Sequence, residues 1–273
     1  MLRFAVVGNP VSHSKSPLIH SLFARQVGIE LQYTREQVSG DRFDDFVQTF
    51  FATGGSGLNI TVPFKEQAYR LTAVHSERAG QARAVNTLYQ DQQQRLCGDN
   101  TDGIGLVRDL TVNHRIPIGN RRLLIMGAGG AVRGALGSLA GQAPESITVI
   151  NRTVEKARVL ADEFSALTAI QALSFEDPLD GPFDLVINGT SSGLHGDLPP
   201  LSPIAIGPAT CCYDMMYGNE PTAFLKWTAQ QGAASNLDGL GMLVEQAAES
   251  FQLWLQVRPE TGSVIQQVRT SLG

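Results

Sequence analysis

Residues 122–136 read RLLIMGAGGAVRGAL: a short apolar run, a cluster of glycines, then a helical pattern. A strand that turns so tightly into a helix is half of a crossover unit, and crossovers build parallel sheets. The alternation recurs along the chain. Apolar runs at 4–7, 57–62 and 123–126 are followed by helical spacing over 18–27, 65–73 and 132–140, and further runs lie at 147–150, 185–187 and 211–213. The pattern predicts an α/β fold with parallel sheets.

At 273 residues the chain has room for two domains. The polar segment 109–122 precedes a fresh strand and glycine turn, so a second domain is expected to start between Asp102 and Gly119. Near the other end, NLDGLGMLVEQAAESFQLWLQ gives a turn and a long helix with Leu243, Ala247, Phe251 and Trp254 on a common side. The expected layout is a discontinuous α/β substrate domain, residues 1–102 and 238–273, around a Rossmann-type parallel-sheet domain, residues 103–237. A cleft between them would take a small ligand.

Twenty-one basic against 26 acidic residues give a formal charge of −5, which argues against a nucleic-acid or anionic-membrane partner. An anionic ligand must then be held by local donors. Cys97, Cys211 and Cys212 form no disulfide framework, and their spacing with the five histidines matches no zinc site, so no metal is expected. The opening MLRFAVVGNP lacks a signal peptide's apolar stretch, and no apolar run reaches the roughly 18 residues of a membrane span. A cytoplasmic monomer or homodimer is expected.

The turn Gly127-Ala128-Gly129-Gly130-Ala131 lets backbone N–H groups approach a pyrophosphate, whose charge the following helix N-terminus favours. A strict dinucleotide fingerprint has glycine where this chain has Val132. The next strand ends in Asn151-Arg152-Thr153, with no acid to take a ribose 2′-hydroxyl. Arg152 can grip a 2′-phosphate and stack on adenine, Thr153 can cap the next helix and offer a hydroxyl, and Lys156 either adds charge or is simply solvated. NADP is therefore the expected cofactor. Thr190 and Met215 follow two later strands, where open sheets bind ligands, though a turn and core packing account for them equally.

At residues 57–66, GLNITVPFKE places Asn59 and Thr61 on one strand face with Lys65 just beyond Pro63. Asn86 lies in AVNTL, and Asp99, Asn100 and Asp102 in CGDNTDG. Asp102 also suits a helix cap. The segment GNPVSHSKSP carries Ser14 and Ser16 just before a helix. Ser16, preceding Pro17, reads as its N-cap, whereas Ser14 has no such role, and both hydroxyls could serve an anion at the helix's positive end.

Together SHSKSP, NITVPFKE, AVNT, GDNTDG, GAGGA, NRT, YGNEPT and DGLGMLVEQA closely resemble the shikimate dehydrogenase family in order and spacing, over nearly the whole chain. The resemblance implies reversible reduction of 3-dehydroshikimate to shikimate with NADPH, on the way to chorismate and the aromatic amino acids. It implies that Lys65 and Asp102 are the catalytic pair. Ser14 and Ser16 would hold the substrate carboxylate, with the Tyr217 hydroxyl beside them unless that ring only packs. Asn59, Thr61, Asn86 and Gln246 would meet the ring hydroxyls; Gln246 could instead face water. Gly239 and Gly241 allow close backbone approach, and Gly239 is counted among the cofactor contacts.

Overall fold

The computed structural model describes residues 1–190 and 198–273, and the chain divides into two compact units. The first comprises Met1–Gly105 and Val244–Ser271, the second Leu106–Leu243 with Leu272–Gly273.

In the first unit the elements run β1 (Leu2–Gly8), α1 (Ser16–Val27), β2 (Leu31–Gln37), α2 (Phe43–Ala52), β3 (Gly57–Ile60), α3 (Lys65–Leu71), β4 (Val74–His75), α4 (Glu77–Ala82), β5 (Thr87–Gln90), β6 (Leu96–Asp99) and the first turn of α5 (Asp102–Arg108). They form a six-stranded sheet of order β2-β1-β3-β5-β6-β4. The sequence pattern implied parallel pairing throughout. Instead β5 runs antiparallel to both β3 and β6, because β5 and β6 form a hairpin. Its turn is built by Asp91, whose carboxylate accepts the backbone N–H groups of Gln93 and Arg95, an arrangement that short-range hydrophobic spacing does not signal.

β3 lies between β1 and β5 and is buried along its whole length, so Asn59 is an interior residue rather than part of a solvated face. Around it pack Val7, Phe43, Leu58, Phe64 and Leu88, with the Phe43 and Phe64 rings stacked at 4.7 Å. Burying each such ring stabilises the unit by about 2–3 kcal/mol.

The second unit carries β7 (Arg122–Met126), α6 (Gly130–Ala140), β8 (Ser146–Ile150), α7 (Val154–Glu163), β9 (Ile170–Leu173), β10 (Leu185–Asn188), β11 (Cys211–Asp214), α8 (Ala223–Gln230) and β12 (Ser235–Asp238). All its strand pairs are parallel, in the order β12-β11-β10-β7-β8-β9. The direction of winding reverses between β7 and β10, and such a switch point leaves a crevice beyond the strand ends. Apolar cores cover both faces, one around Leu123, Leu136, Val149 and Tyr213, the other around Leu124, Met126, Val186 and Phe224.

Two further helices follow, α9 (Leu240–Leu255) and α10 (Gly262–Thr270). Of the apolar side expected on α9, Ala247 and Phe251 are fully buried. Trp254 stacks on Phe4 at 4.7 Å and donates to the Leu88 carbonyl at 3.1 Å. Gly57 makes room for it, since a Cβ there would lie 2.5 Å from the indole nitrogen. Among the described residues no helix is long and apolar enough to cross a membrane, and no group of three or more His, Cys, Asp or Glu could hold a metal ion.

Candidate active site

Lys65 opens α3 and Asp102 opens α5, 37 residues apart in sequence, and the Lys65 Nζ donates to Asp102 Oδ2 at 2.5 Å. Asp102 is nearly buried, whereas the Lys65 side chain keeps a quarter of its surface exposed. The other carboxylate oxygen, Oδ1, accepts from Asn86 Nδ2 at 2.8 Å. Capping does not occupy this carboxylate. Asp102 is the first residue of α5, and its own N–H is taken by the Asn100 side chain at 3.1 Å.

Asn100 is fixed in turn by Asp99, which accepts the Asn100 N–H at 2.6 Å and is gripped by Arg78 through Nε at 2.7 Å and a second guanidinium nitrogen at 2.9 Å. Arg78 also reaches Glu249 on α9 at 3.0 Å. Burial works against the Arg78 charge, but Asp99 and then Glu249 outweigh it and hold its pKa above the ordinary value.

Asn59 and Asn86 sit in the same polar cluster. Asn59 Nδ2 donates to Ser250 Oγ at 3.0 Å, and Gln246, on the same face of α9, accepts from Asn86 Nδ2 at 3.3 Å and Thr101 Oγ1 at 3.4 Å. Gln246 therefore does not face open water. Thr61 lies just past the end of β3, its N–H bonded to the Val7 carbonyl, and its methyl fills the space where a Cβ on Gly8 would be.

Ser16 does not take its expected N-cap role. Ser16 is the first residue of α1, Lys15 stands at the N-cap, and no side chain at that position caps the helix. Ser14 Oγ accepts the Ser16 N–H at 3.3 Å and lies 3.2 Å from Ser16 Oγ. Pro17 permits this shift because every position in a helix's first turn has a spare N–H, so a missing one costs little there. No acid lies in that first turn. Lys15 turns away, with Nζ donating to the Ser271 carbonyl.

Sequence reading missed Tyr33, Thr87, Thr101 and Ser250. The Tyr33 hydroxyl donates to Asn59 Oδ1 at 2.6 Å and lies beside Ser16. Burial pushes its phenol well above the usual range, so it stays a neutral donor. Only the i,i+4 spacing of Gln246 and Ser250 on α9 was a usable signal, since it sets both on one face.

In the second unit the glycine turn stands at the switch point. Gly127 has φ +103°, and a Cβ there would lie 3.0 Å from the Gly189 carbonyl oxygen, so β7 and β10 can end side by side only with glycine. Among the described residues a Cβ at Gly129 or Gly130 would meet nothing within 4 Å, which leaves space over the N-terminus of α6. Its N-cap Gly129 has no side chain to cap the amides, and the first turn has no acid. Such space over helix N-terminal amides suits a pyrophosphate.

At the end of β8, Asn151 Nδ2 donates to the Thr153 carbonyl at 2.8 Å and shapes the turn, while Arg152 and Lys156 are exposed. Thr153 occupies the N-cap of α7, yet its hydroxyl makes no capping bond, contrary to the expected cap. Thr190 donates its hydroxyl to Asn188 Oδ1 at 2.7 Å, and its N–H bonds the same atom, so it shapes the turn after β10. Met215 packs against the core, and its carbonyl would lie 2.2 Å from a Cβ on Gly239. Asp214 accepts from the Met216 N–H and the Thr222 hydroxyl, fixing the loop that carries Tyr217. Burial, and then the charge of Asp238, raise the Tyr217 pKa. Tyr217 belongs to this second unit, Ser14 and Ser16 to the first.

Three family models match the chain: the shikimate dehydrogenase substrate binding domain over residues 6–88, shikimate / quinate 5-dehydrogenase over 111–195, and the shikimate 5'-dehydrogenase C-terminal domain over 239–269. The shikimate dehydrogenase (NADP(+)) of Alkalilimnicola ehrlichii is 54% identical over 267 residues, covering 98% of each chain. Among solved structures, an Ael1 enzyme from Pseudomonas putida matches with a TM-score of 0.92 at 44% identity over 98% of both chains. The shikimate 5-dehydrogenase of Thermus thermophilus, solved in complex with NADP(H) and shikimate, matches with a TM-score of 0.87 at 31% identity over 100% of both.

Proposed function

The chain belongs to the shikimate dehydrogenase family and is an NADP-dependent oxidoreductase interconverting shikimate and 3-dehydroshikimate, and from this premise we propose that Lys65 and Asp102 are the pair that moves the proton. NADPH, when bound, supplies the hydride. As the ketone carbon gains it, negative charge grows on the oxygen, and the Lys65 ammonium donates the proton that neutralises it. In the oxidative direction the neutral amine takes the hydroxyl proton. Asp102 holds the Lys65 Nζ through Oδ2, while Asn86 fixes Oδ1, so the lysine has one direction of approach.

Ser14 and Ser16 receive the substrate carboxylate at the start of α1, where the helix dipole and the lack of acidic neighbours favour an anion. Asn59, Thr61, Asn86 and Gln246 meet the ring hydroxyls. The amides at the start of α6 hold the pyrophosphate, Arg152, Thr153 and Lys156 the 2′-phosphate, and Asn151, Thr190, Met215 and Gly239 shape the surrounding loops.

One observation carries this reading: a partly exposed lysine, a nearly buried carboxylate and a buried asparagine meet from three separate segments. The purified protein is tested by following NADP reduction with shikimate as sole substrate, alongside quinate and NAD as alternatives. Shikimate with NADP is expected to be the fastest pair. A faster rate with NAD would remove Arg152, Thr153 and Lys156 from the cofactor site.

A further inference from the structure

Thr87 and Ser250 are both completely buried, and their hydroxyls lie 2.7 Å apart between the two asparagines of the candidate site. Thr87 Oγ1 donates to Asn86 Oδ1 at 2.8 Å, and Ser250 Oγ accepts from Asn59 Nδ2 at 3.0 Å. A line of hydrogen bonds therefore runs Tyr33, Asn59, Ser250, Thr87, Asn86, Asp102, Lys65.

The orientation of the two amides is set from the charged end. An ionised Asp102 can only accept, so Asn86 presents Nδ2 to it, which leaves Oδ1 facing Thr87 Oγ1 and the Thr101 N–H at 2.9 Å. In the 2.7 Å contact between the hydroxyls either oxygen can donate, since the Gln246 carbonyl, 3.1 Å from Ser250 Oγ, also accepts its proton. In either arrangement Ser250 accepts from Asn59 Nδ2, which also faces the Asn86 carbonyl at 3.3 Å, and Asn59 Oδ1 turns toward Tyr33, a donor at 2.6 Å. Turning either amide over would leave a buried donor facing a donor or an acceptor facing an acceptor, at about 1–3 kcal/mol for each group left unsatisfied.

We infer that Thr87 and Ser250 are positioning residues: with no exposed surface of their own, they act with the Thr101 N–H and the Asn86 carbonyl to hold the Asn59 and Asn86 amides, and so the hydrogen-bonding face offered to the substrate ring. The inference rests on the reading of Asn59, Asn86 and Asp102 given above. Thr87→Val keeps the shape and deletes the hydroxyl, whereas Thr87→Ser keeps the hydroxyl and deletes the methyl. In steady-state assays Thr87→Val is expected to lower kcat/KM for shikimate about tenfold, the size of one lost positioning hydrogen bond, while KM for NADP stays within about twofold. Thr87→Ser is expected to recover most of the loss. Ser250→Ala breaks the line at the next atom and is expected to match Thr87→Val, so the test survives if one variant fails to fold.

A merely structural role would lower the active fraction without raising KM for shikimate. Unchanged shikimate kinetics in the variants, equal damage from Thr87→Ser and Thr87→Val, or equal rises in both KM values would each overturn the inference while leaving the function of the wild type intact. A wild type that is inert toward shikimate would overturn the underlying reading and this inference with it.

Discussion

Replacing His20 by phenylalanine removes a titratable ring from the interior of the first unit. His20 lies on α1 with no exposed surface, stacked on Tyr33 at 4.4 Å and close to Phe23, Phe251 and Trp254. Among the described residues neither ring nitrogen meets a partner in hydrogen-bond geometry, and none of these four neighbouring rings carries a charge. Burial lowers its pKa from 6.5 to about 3, against the opposing pull of the nearby Asn59 side chain. The unfolded chain therefore binds a proton that the folded one refuses between those two values, and stability falls as pH falls through that window. At pH 5, 1.5 units below the unfolded value, the penalty is about 2 kcal/mol, or roughly 4 to 8 °C in melting temperature for a chain of this size. Above pH 7.5 it vanishes.

His20→Phe keeps the stacked ring and removes the proton site. Melting curves of both proteins from pH 8 to pH 4.5 isolate the effect, because the carboxylates titrate alike in each and cancel in the difference. The variant is expected to match or slightly exceed the wild type at pH 8, where two unpartnered nitrogens have been deleted, and to lead by several degrees at pH 5. Two curves that stay parallel across the range would refute the reasoning, since they would mean that His20 takes up its proton as readily folded as unfolded.

Lys65→Ala is expected to abolish turnover while shikimate still binds, as calorimetry can check; turnover equal to wild type would remove Lys65 from the mechanism. Arg152→Ala is expected to raise KM for NADP about tenfold and leave both KM for shikimate and the rate with NAD unchanged, measured by initial rates. Arg78→Met leaves the buried Asp99 without its guanidinium, while Glu249 keeps Arg258, and denaturant titration is expected to show a loss of about 3 kcal/mol.

The glycine turn was legible from local chemistry, because the backbone demands glycine at φ +103° in Gly127, whereas Lys65 and Asp102, an ordinary lysine and a residue suited to a helix cap, were singled out only by the family resemblance. β7, β8 and β10 were visible as buried apolar runs. β2, reading LQYTREQ, and β12, reading SNLD, were not, since strands that hold their place through pairing at a sheet edge need little apolar character. Ser14 and Ser16 lie at the start of α1, but Ser16 is its first residue rather than the expected N-cap, because the helix start was settled by one residue's difference in backbone geometry.

Thr87 and Ser250 belong to a different class of invisibility. They are common residues in ordinary surroundings, 163 positions apart, and their meaning lies in a contact that exists only once β5 and α9 have packed. α9 shows how one helix can answer two demands. Gln246 and Ser250, four residues apart, turn to the polar line, while Glu245 and Glu249, also four apart, turn to Arg258 at 2.8 and 2.7 Å. Glu249 carries the ionic contacts on to Arg78 and Asp99, behind the loop that presents Asp102. The charged groups brace one face of the helix while neutral dipoles meet the asparagines on the adjacent face. That division has a physical reason, for ion pairs tolerate small displacements, whereas a line of directional hydrogen bonds does not. Shifting α9 by even an ångström is expected to cost more in substrate recognition than in stability, and this is why the hydroxyl variants, rather than the arginine variant, are expected to show their effect in KM for shikimate.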